Sequence, residues 1–353
     1  MTYLVKQFQL ICPEITEAME KNTHHFDRQN LNPYHIEGNT WAHAQMVCLM
    51  TEVLKVNDLV KIACLLHDVG KPMSTKVDAE TKKVKMYGHE GLSVFLGLKF
   101  LNELNLKDEE KTRVLQLVCL HTFLYKAMRA ENTFERDVIE KFKGEPELLM
   151  DLIDMTACDA LGRFAEREEN RDFWMNAQNN LGHLVYKVDA PKITRQTKGE
   201  AIVLVGPPCS GKSTWIKQNA KDYKLVCRDN VIMEMGKGKH YNDAFRSVDQ
   251  DKVNQEYDRM RKQVIKTEQN IVFDLTHMTG KSRRKSLAGL PKDMKRTAVV
   301  FLTSFETLND RNQKRNKDEN KFIPAHAMEN MMGSFDFPLE AEGFDEIKVV
   351  YTK

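Results

Sequence analysis

The feature that most constrains the fold of this chain is a glycine-rich loop in its second half. Residues 206–214 spell GPPCSGKST and fit the pattern G-x-x-x-x-G-K-[ST] without deviation. The apolar run Ala201–Val205 precedes the loop, and residues compatible with a helix follow it. A strand, loop and helix in this order turn backbone N–H groups around a phosphate and add the positive end of a helix dipole. We therefore predict a nucleotide-phosphate site here; a chance glycine-rich turn is the alternative.

The residues of this loop have separate predicted tasks. Lys212 is expected to reach the β- and γ-phosphates as a catalytic residue, and the Ser213 hydroxyl is expected to ligate Mg²⁺. The predicted nucleotide-binding segment comprises Gly206, Pro207, Pro208, Cys209, Ser210, Gly211, Lys212, Ser213 and Thr214. Arg311 and Arg315 lie four residues apart on a predicted helix. They either close over the phosphates as a lid or form a solvated basic helix face.

Short apolar runs alternate with helical patterns after the loop, which predicts a parallel sheet with helices on both faces. The predicted strands are 201–205, 224–227, 270–273, 297–303 and 346–351. Ligand-handling residues should follow the strand ends, and Asp229 and Asp274 do so. Asp229 is the candidate general base for an attacking hydroxyl, with a helix N-cap as the alternative. Asp274 would hold the metal's water shell or the acceptor, or cap a loop.

The first half has the periodicity of helices, with apolar residues recurring near every 3.6 positions. Segments with this pattern are 41–54, 59–66, 114–121 and 147–161. Asp58 is the predicted N-cap of the second segment, and Gly70 is its predicted stop. His43, His121 and Asp159 fall on the apolar faces of these segments, where burial costs several kcal/mol unless the group is paired or bound to a metal.

Several such residues surround the adjacent pair His67-Asp68 at a helix end. A lone histidine on an apolar face is more often a hydrogen-bonded core residue than a ligand. Imidazoles and carboxylates in this number favour a divalent transition metal instead, and open positions on it supply a hydroxide nucleophile near neutral pH.

The pattern His43, His67-Asp68 and Asp159, with HDVGKP in the middle, resembles the HD phosphohydrolase superfamily, an all-helical metal-dependent fold. The resemblance implies that these four residues hold one metal and that Asp68 is catalytic.

Some members of that superfamily carry two more histidines for a second metal bridged by the central aspartate, and His89 and His121 stand in suitable places. Alternatively, His89 positions the substrate. Lys71 is placed to contact a substrate phosphate. His24 and His25 match no motif and are predicted to lie on the surface.

The second half resembles phage-type polynucleotide 5′-hydroxyl kinases over about residues 200–330. The resemblance is carried by GPPCSGKSTW, Arg228-Asp229, Asp274 with Thr276, Arg283-Arg284, Leu308–Arg315 and Ile323-Pro324. It implies that Asp229 is the general base, that Arg315 contacts the phosphates, and that Arg228, Asp274 and Thr276 bind the acceptor. The family commonly has another arginine three residues beyond the base, where this chain has Ile232. Acceptor recognition then differs, or uses Arg228 or another residue. The tail after Met332 is unassigned.

Composition excludes some classes of protein. The chain has 353 residues and a formal net charge of +2, with 26 Lys/Arg against 29 Asp/Glu in residues 1–199 and 27 against 22 thereafter (−3 and +5). This balance argues against a large basic face for duplex binding. The seven cysteines contain no C-x-x-C, so they are predicted to be buried small residues in a reducing compartment. With no signal-peptide pattern and no spanning segment, we expect a cytoplasmic protein without a membrane partner.

The predicted organisation is an all-α HD domain over 1–186, a polar linker over 187–199, and an α/β P-loop kinase domain over 200–353. Together the halves resemble the HD–polynucleotide-kinase fusion enzymes that heal RNA ends. The resemblance implies ATP or another NTP with Mg²⁺ at the kinase site. It implies one or two divalent ions (Mn²⁺, Ni²⁺, Co²⁺ or Fe²⁺) at the HD site. The implied partners are single-stranded RNA or DNA ends, with a ligase acting downstream.

Two other functions remain open from the sequence. The first is an HD nucleotidase, acting on free nucleotides, fused to a small-molecule P-loop kinase. The second is a nucleotide-gated regulatory module whose HD half has lost catalysis, against which the full ligand set argues. The first alternative differs from end healing in its acceptor, because a small-molecule kinase would not phosphorylate the 5′-hydroxyl of an oligonucleotide. The second alternative predicts no turnover by the HD half when metal is added.

Overall fold

The structure is a computed structural model, and it describes residues 3–25, 35–164, 170–191, 195, 199–267, 269–319 and 321–352. The chain divides into two compact units. One comprises Met1–Pro191 with Met332–Phe337, and the other comprises Lys192–Met331 with Pro338–Lys353. The first unit is helical and the second is built on a five-stranded parallel sheet, which confirms the predicted fold class.

The first unit is a helical assembly with one short hairpin. In chain order its elements are α1 (Tyr3–Ile11), α2 (Pro13–Lys21), α3 (Thr40–Leu54), α4 (Asp58–Leu66), α5 (Lys71–Ser74), β1 (Lys76–Val77), β2 (Val84–Lys85), α6 (His89–Glu103), α7 (Asp108–Leu120), α8 (Phe123–Met128), α9 (Phe134–Phe142), α10 (Pro146–Leu161), α11 (Arg171–Met175) and α12 (Ala177–Val188). Helix α10 packs against α3, α4, α7 and α12, so it lies at the centre of this unit.

Side-chain caps set where two of these helices begin. The Asn39 side chain accepts a hydrogen bond from Ala42 N at the start of α3. The Asn57 side chain accepts from Val60 N at the start of α4. The predicted cap, Asp58, is instead the first residue inside α4, where its charge favours the positive helix end.

Gly70 does more than end the segment that contains the His-Asp pair. A Cβ on Gly70 would lie 2.5 Å from the carbonyl oxygen of His89 and 2.7 Å from Ser93 N. Gly70 N also donates to Ser93 Oγ at 2.9 Å. Only glycine allows this approach, so the residue brings the chain around Asp68 against the start of α6.

Six residues from late in the chain complete the helical unit. Segment 332–337 contributes Phe335 and Phe337, which are 4% and 0% exposed, and the Phe335 ring lies 5.4 Å from that of Phe95. Gly91 in α6 makes room for it, because a Cβ there would lie 2.2 Å from the Met332 carbonyl oxygen. The sequence interpretation placed these residues in the kinase domain (200–353) or left them unassigned.

The second unit is built on a parallel sheet of five strands. Its elements are β3 (Glu200–Val205), α13 (Lys212–Asn219), β4 (Lys224–Cys227), α14 (Arg228–Met235), α15 (Tyr241–Ser247), α16 (Gln250–Thr267), β5 (Asn270–Asp274), α17 (Gly280–Leu287), β6 (Lys295–Thr303), α18 (Phe305–Glu319), α19 (Ala325–Gly333, whose last two residues belong to the first unit) and β7 (Glu346–Thr352). The strand order is β4-β5-β3-β6-β7, so β3 is central and the loop after it opens at the middle of the sheet edge.

The five predicted strands are confirmed, each within two residues at its ends. In the predicted linker 187–199, residues 192–194 and 196–198 lie outside the described residues, and Lys187 and Val188 are the last two residues of α12. All seven cysteines lie in the described part, and none of them forms a disulfide; six are buried, and Cys209, in the glycine-rich loop, is half-buried. Among the described helices, none combines the length and apolar character needed to cross a bilayer.

Candidate active sites

The helical unit gathers all six predicted metal ligands in its interior. His43 comes from α3, His67 and Asp68 directly follow α4, and Asp159 lies in α10. The other two are His89, the first residue of α6, and His121, which directly follows α7. All six are 9% exposed or less, although each is polar.

One half of this cluster is formed by His43, His67 and Asp159. His43 Nε2 lies 3.0 Å from Asp159 Oδ1 and 3.4 Å from His67 Nε2. His67 Nε2 lies 3.8 Å from the same Asp159 oxygen. Three donor atoms at these separations can share one cation.

The other half is formed by His89, His121 and Asp68. His89 Nε2 and His121 Nε2 are 3.1 Å apart and lie 3.3 and 3.7 Å from Asp68 Oδ1. Asp68 Oδ2 faces the first half, at 3.1 Å from His67 Nε2 and 3.6 Å from His43 Nε2. Asp68 therefore stands between the two groups with one oxygen toward each.

The imidazoles are oriented by hydrogen bonds on their far nitrogens. The Nδ1 atoms of His67, His89 and His121 lie 2.7, 2.7 and 2.8 Å from backbone carbonyl oxygens three residues earlier. A carbonyl can only accept, so Nδ1 carries the proton and Nε2 presents its lone pair to the cluster. Both buried Asp68 oxygens accept no well-aligned hydrogen bond from the described residues. Lone pairs converging in this way fit divalent ions, so the residues suit the implied metals.

Two cations flank the carboxylates. Lys71 Nζ lies 2.5 Å from Asp68 Oδ2, and Arg163 Nη2 lies 2.7 Å from Asp159 Oδ2. Burial alone would raise the pKa of Asp68, but His67 and Lys71 beside it hold that pKa well below its usual range. Burial also acts on the Asp159 carboxyl, and Arg163 and His43 together keep its pKa low. Both carboxylates are therefore charged and available as ligands.

The glycine-rich loop of the second unit has a strained backbone and a lysine folded into it. Cys209 has φ of 67°, a left-handed conformation that costs a non-glycine residue energy and is typical of functional loops. Lys212 Nζ donates to the carbonyl oxygens of Gly206 and Pro207 at 2.8 and 2.6 Å. Burial lowers the pKa of Lys212 to about 8, and the carboxylates of Asp274 and Asp229 act in the opposite direction. Ser213 and Thr214 lie exposed in the first turn of α13.

Asp229 and Asp274 lie at neighbouring strand ends, since Cys227 of β4 pairs with Asp274 of β5. Asp229 sits in the first turn of α14 and makes no capping hydrogen bond, so the N-cap alternative is wrong. Its Oδ1 accepts from Tyr241 Oη at 2.8 Å, and its Oδ2 is 2.8 Å from Lys321 Nζ. Burial and the charge of Asp229 raise the pKa of Asp274, while Lys212 opposes the rise.

Arg311 and Arg315, the two candidate lid arginines, lie near the glycine-rich loop. Arg311 Nη1 donates to the Cys209 carbonyl oxygen at 3.1 Å and to Thr352 Oγ1 at 3.2 Å. Arg315 Nε donates to the Lys321 carbonyl oxygen at 3.2 Å. Within the described residues, the buried Arg315 Nη2 has no hydrogen-bond partner. An unpaired buried guanidinium nitrogen suits an anion, which favours the lid interpretation over the solvated face.

Other residues singled out from the sequence have structural partners. Arg228 donates to Asn254 Oδ1 at 3.1 Å and to Gln250 Oε1 at 2.7 Å, so its guanidinium is directed at α16. The Thr276 backbone carbonyl accepts from Gly206 N at 2.8 Å and supports the loop. Arg283 is fully buried in a two-bond pair with Glu342.

Comparison with known proteins assigns each unit. Residues 39–163 match the family model "HD domain", and residues 202–338 match the model "AAA domain". This chain carries an HD domain followed by a P-loop kinase-like domain. The HD match contains all six candidate ligands, and the second match contains the P-loop, both strand-end aspartates and both lid arginines.

Individual relatives cover the chain only in part. An A-adding tRNA nucleotidyltransferase from Deinococcus radiodurans is 29% identical over 127 residues, which cover 33% of this chain. The chain spans 28% of that protein's length. A putative kinase from Chloroflexus aurantiacus has a TM-score of 0.35 at 13% identity, covering 45% of this chain and 87% of its own. A gluconokinase from Sinorhizobium meliloti has a TM-score of 0.30 at 16% identity, covering 44% and 83%.

The HD domain holds residues that the sequence interpretation missed. The prediction that His24 lies on the surface is wrong, because it is 2% exposed; its neighbour His25 is half-buried. His24 lies beside His35 and Glu37, and Glu37 Oε1 lies 3.1 Å from His43 Nδ1. Burial lowers the pKa of His24 to about 2 and that of His35 to about 3. No local motif joins these residues, so only the tertiary structure shows the cluster.

The P-loop domain also holds a pair that the sequence did not show. Lys321 Nζ lies 3.6 Å from the centre of the Tyr241 ring, and both side chains contact Asp229. The two residues are 80 positions apart in the chain, and neither belongs to the quoted kinase motifs. The sequence offers one weak signal for Lys321, which is its position two residues after α18, the helix that carries Arg311 and Arg315.

Proposed function

We propose that the protein heals RNA ends by two reactions in one chain. The P-loop domain transfers the γ-phosphoryl group of an NTP to a polynucleotide 5′-hydroxyl. The HD domain opens a 2′,3′-cyclic phosphate and removes a remaining 2′- or 3′-monoester. The observation that carries this proposal is that one chain combines a phosphohydrolase-type ligand cluster around Asp68 with a P-loop that has a partly exposed carboxylate, Asp229, beside it.

In the kinase reaction, Lys212 and Arg315 hold the donor. Lys212 leaves the loop carbonyl groups that it contacts here and takes the β- and γ-phosphate oxygens instead. Arg315 turns its unpaired Nη2 toward the transferring group and stabilises its charge. Ser213, at the start of α13, provides the hydroxyl ligand for Mg²⁺.

Asp229 accepts the proton of the attacking 5′-hydroxyl. Its side chain is 47% exposed, so an acceptor can reach it, and Lys321 and Tyr241 fix the orientation of its two oxygens. Asp274, whose pKa burial raises, lies beside it and orders the water shell of the metal or the acceptor. The sheet does not have to move for this reaction, because both aspartates already lie at the strand ends.

In the HD reaction, the chain's residues bind and orient the phosphate. A divalent ion held by the cluster would supply an activated water and neutralise phosphate charge. His43, His67, Asp68 and Asp159 would hold one such ion, and His89, His121 and Asp68 a second. Lys71, which contacts Asp68, turns to a phosphate oxygen when substrate enters.

The pairing of the two reactions has a chemical logic. Breaks of the ribonuclease type leave a 2′,3′-cyclic phosphate and a 5′-hydroxyl, and a standard ligase can use neither end. Recognition of a single-stranded end would rest on phosphate and sugar contacts rather than base edges. ATP or another NTP is the donor, and Mn²⁺, Ni²⁺, Co²⁺ or Fe²⁺ suits the imidazole and carboxylate donors.

One observation favours a second function, an HD nucleotidase joined to a small-molecule kinase. Ile232 occupies the position where the resembling kinases carry an arginine for the acceptor's phosphate, and it is fully buried in α14. This chain therefore has no arginine at that position to bind the phosphate of a polynucleotide acceptor. A small alcohol would need no such contact.

Acceptor competition tests the two functions. The full chain is incubated with ATP and Mg²⁺ and a short single-stranded RNA with a 5′-hydroxyl, alone or with sugars and nucleosides in excess. End healing predicts phosphate transfer to the RNA, with no inhibition by the small alcohols. Transfer to a small alcohol while the RNA stays unchanged would contradict the proposal.

A further inference from the structure

A third group of ligand-type side chains lies beside the HD cluster. His24, His35 and Glu37 bring one donor atom each within 4.8 Å of one another. Glu37 Oε1 lies 2.7 Å from His35 Nδ1 and 3.8 Å from His24 Nδ1. The side chains of His24 and Glu37 are 1% and 2% exposed, and that of His35 is 13% exposed. The group is therefore buried, with some solvent access at His35.

A chain of hydrogen bonds fixes the proton on His24. The Lys71 carbonyl oxygen can only accept, so Thr75 Oγ1 donates to it at 2.7 Å. Thr75 Oγ1 then accepts from Asn22 Nδ2, and Asn22 Oδ1 accepts from Thr40 Oγ1, both at 2.7 Å. Thr40 has thus used its proton and must accept from His24 Nε2, which lies 3.2 Å away. His24 carries its proton on Nε2.

Nδ1 of His24 consequently presents a bare lone pair to a buried carboxylate. It has no hydrogen-bond partner among the described residues. Glu37 Oε1 already faces Nδ1 of His35 and of His43, and Glu37 Oε2 accepts from Phe164 N at 3.1 Å. A lone pair that faces an anion in a dry interior is unfavourable, and a cation between the two atoms removes the conflict.

We propose that His24, His35 and Glu37 bind a third divalent transition-metal ion. Two imidazoles and one carboxylate are a donor set that Mn²⁺, Fe²⁺, Co²⁺ and Zn²⁺ accept. The ion takes the place of the proton that His35 Nδ1 shares with Glu37 Oε1, and it uses the free Nδ1 of His24. The donor chemistry carries the proposal, which does not depend on the substrate of the HD domain.

His43 links this third site to the HD cluster. Its Nε2 faces Asp159 at 3.0 Å, while its Nδ1 lies 3.1 Å from Glu37 Oε1. The imidazole rings form a continuous series, with centroids 4.4 Å apart for His24 and His35 and 5.0 Å apart for His35 and His43. An ion at the third site therefore adds positive charge next to His43, which is a predicted ligand of the first ion. The three ions would then form one trinuclear centre.

The metal content of the full-length protein tests the proposal. The chain carries Ser213→Ala and no nucleotide is added, so that the P-loop contributes no ion. Chelator-treated protein is reloaded with Mn²⁺, desalted and analysed by mass spectrometry of the metal. We expect about three ions per chain. Fewer than two ions would overturn the proposal at once, and at a count of two or three the variants below decide whether the third site is filled.

Variants then place each ion. His24→Asn should lose one ion, His121→Asn should lose a different one, and the double variant should lose both. His183→Asn, an exposed histidine on α12, is the matched control and should keep the full count. If His24→Asn has unchanged circular dichroism and keeps every ion, then Glu37 only orients His43 and the third site does not exist.

Discussion

At the scale of single residues, each candidate site contains a buried polar atom without a well-aligned hydrogen bond. Asp68, Arg315 and His24 each hold a buried polar atom that the described residues leave without a well-aligned hydrogen bond. Leaving such an atom unpaired in a folded protein costs about 1–3 kcal/mol, so a ligand is the expected partner. Arg283, by contrast, is equally buried but has Glu342, and its role is structural.

The first prediction concerns the P-loop lysine. Lys212→Ala should lower kcat/KM for phosphoryl transfer by about 10²–10³-fold, because it removes a charge aimed at the transferring phosphate. Lys217→Ala changes an exposed lysine of the same helix and should have no effect. Steady-state transfer from labelled ATP measures both. Equal rates for the two variants would remove Lys212 from the mechanism.

A second prediction concerns Lys321, the cation beside the candidate base. Lys321→Met frees Asp229 from its ion pair, so we expect kcat/KM for the acceptor to fall by about 10-fold while KM for ATP stays unchanged. Lys317→Met, in the exposed last turn of α18, is the control. A change confined to KM for ATP would show that Lys321 belongs to the donor site instead.

At the scale of elements, the sequence predicted what local patterns determine. The strands and the P-loop followed from apolar runs and one glycine motif. The resemblance carried by H…HD…D predicted four metal ligands, and the structure brings those four side chains together. Segment 332–337, His24 and the pair Tyr241–Lys321 were missed. Their environments come from residues tens to hundreds of positions away, and no periodicity encodes such contacts.

The loop after β5 provides a prediction on pH. His277 is buried, its Nδ1 donates to the Leu204 carbonyl oxygen, and burial lowers its pKa to about 4. Below pH 6.5 the unfolded chain binds this proton and the folded chain does not. The stability of the P-loop domain should thus fall by about 3 kcal/mol as the pH drops from 6.5 to 4.

The stability of the P-loop domain can be measured at each pH by hydrogen exchange during urea unfolding. Peptides from β3 and β6 report on this domain. In His277→Gln, the stability that the P-loop domain loses between pH 6.5 and 4 should be smaller, because the variant lacks the imidazole that takes up the proton on unfolding. His240→Gln alters an exposed histidine of the same domain and should retain the full dependence. An identical pH profile in His277→Gln and the parent protein would refute the assignment.

At the scale of the whole molecule, the two domains are not simple consecutive pieces of chain. The HD domain needs segment 332–337, whose Phe337 is fully buried and whose Asp336 lies 3.1 Å from Lys141 Nζ. A truncation at Pro191 would remove these contacts and expose the surface that they cover. Experiments on separate domains should therefore keep this segment.

Substitution in that segment gives a further prediction. Phe337→Ala should destabilise the HD domain by about 3–5 kcal/mol, since it empties a fully buried aromatic site. Tyr186→Ala removes an aromatic side chain that is 84% exposed in the same unit and should cost little. Calorimetric unfolding of the full chain compares them. An unfolding transition of the HD domain that Phe337→Ala leaves unchanged would contradict the burial of Phe337 in this domain.

The most direct test of the central claim uses one short RNA that carries a 5′-hydroxyl at one end and a 2′,3′-cyclic phosphate at the other. The RNA is incubated with ATP, Mg²⁺ and Mn²⁺, and mass spectrometry follows both ends in the parent protein and in Lys212→Ala, Asp229→Ala and Asp68→Ala. We predict that 5′ phosphorylation disappears only in the first two variants and that opening of the cyclic phosphate disappears only in the third. An RNA left unchanged at both ends, while free nucleotides or small alcohols are converted, would contradict end healing and favour the nucleotidase–kinase alternative.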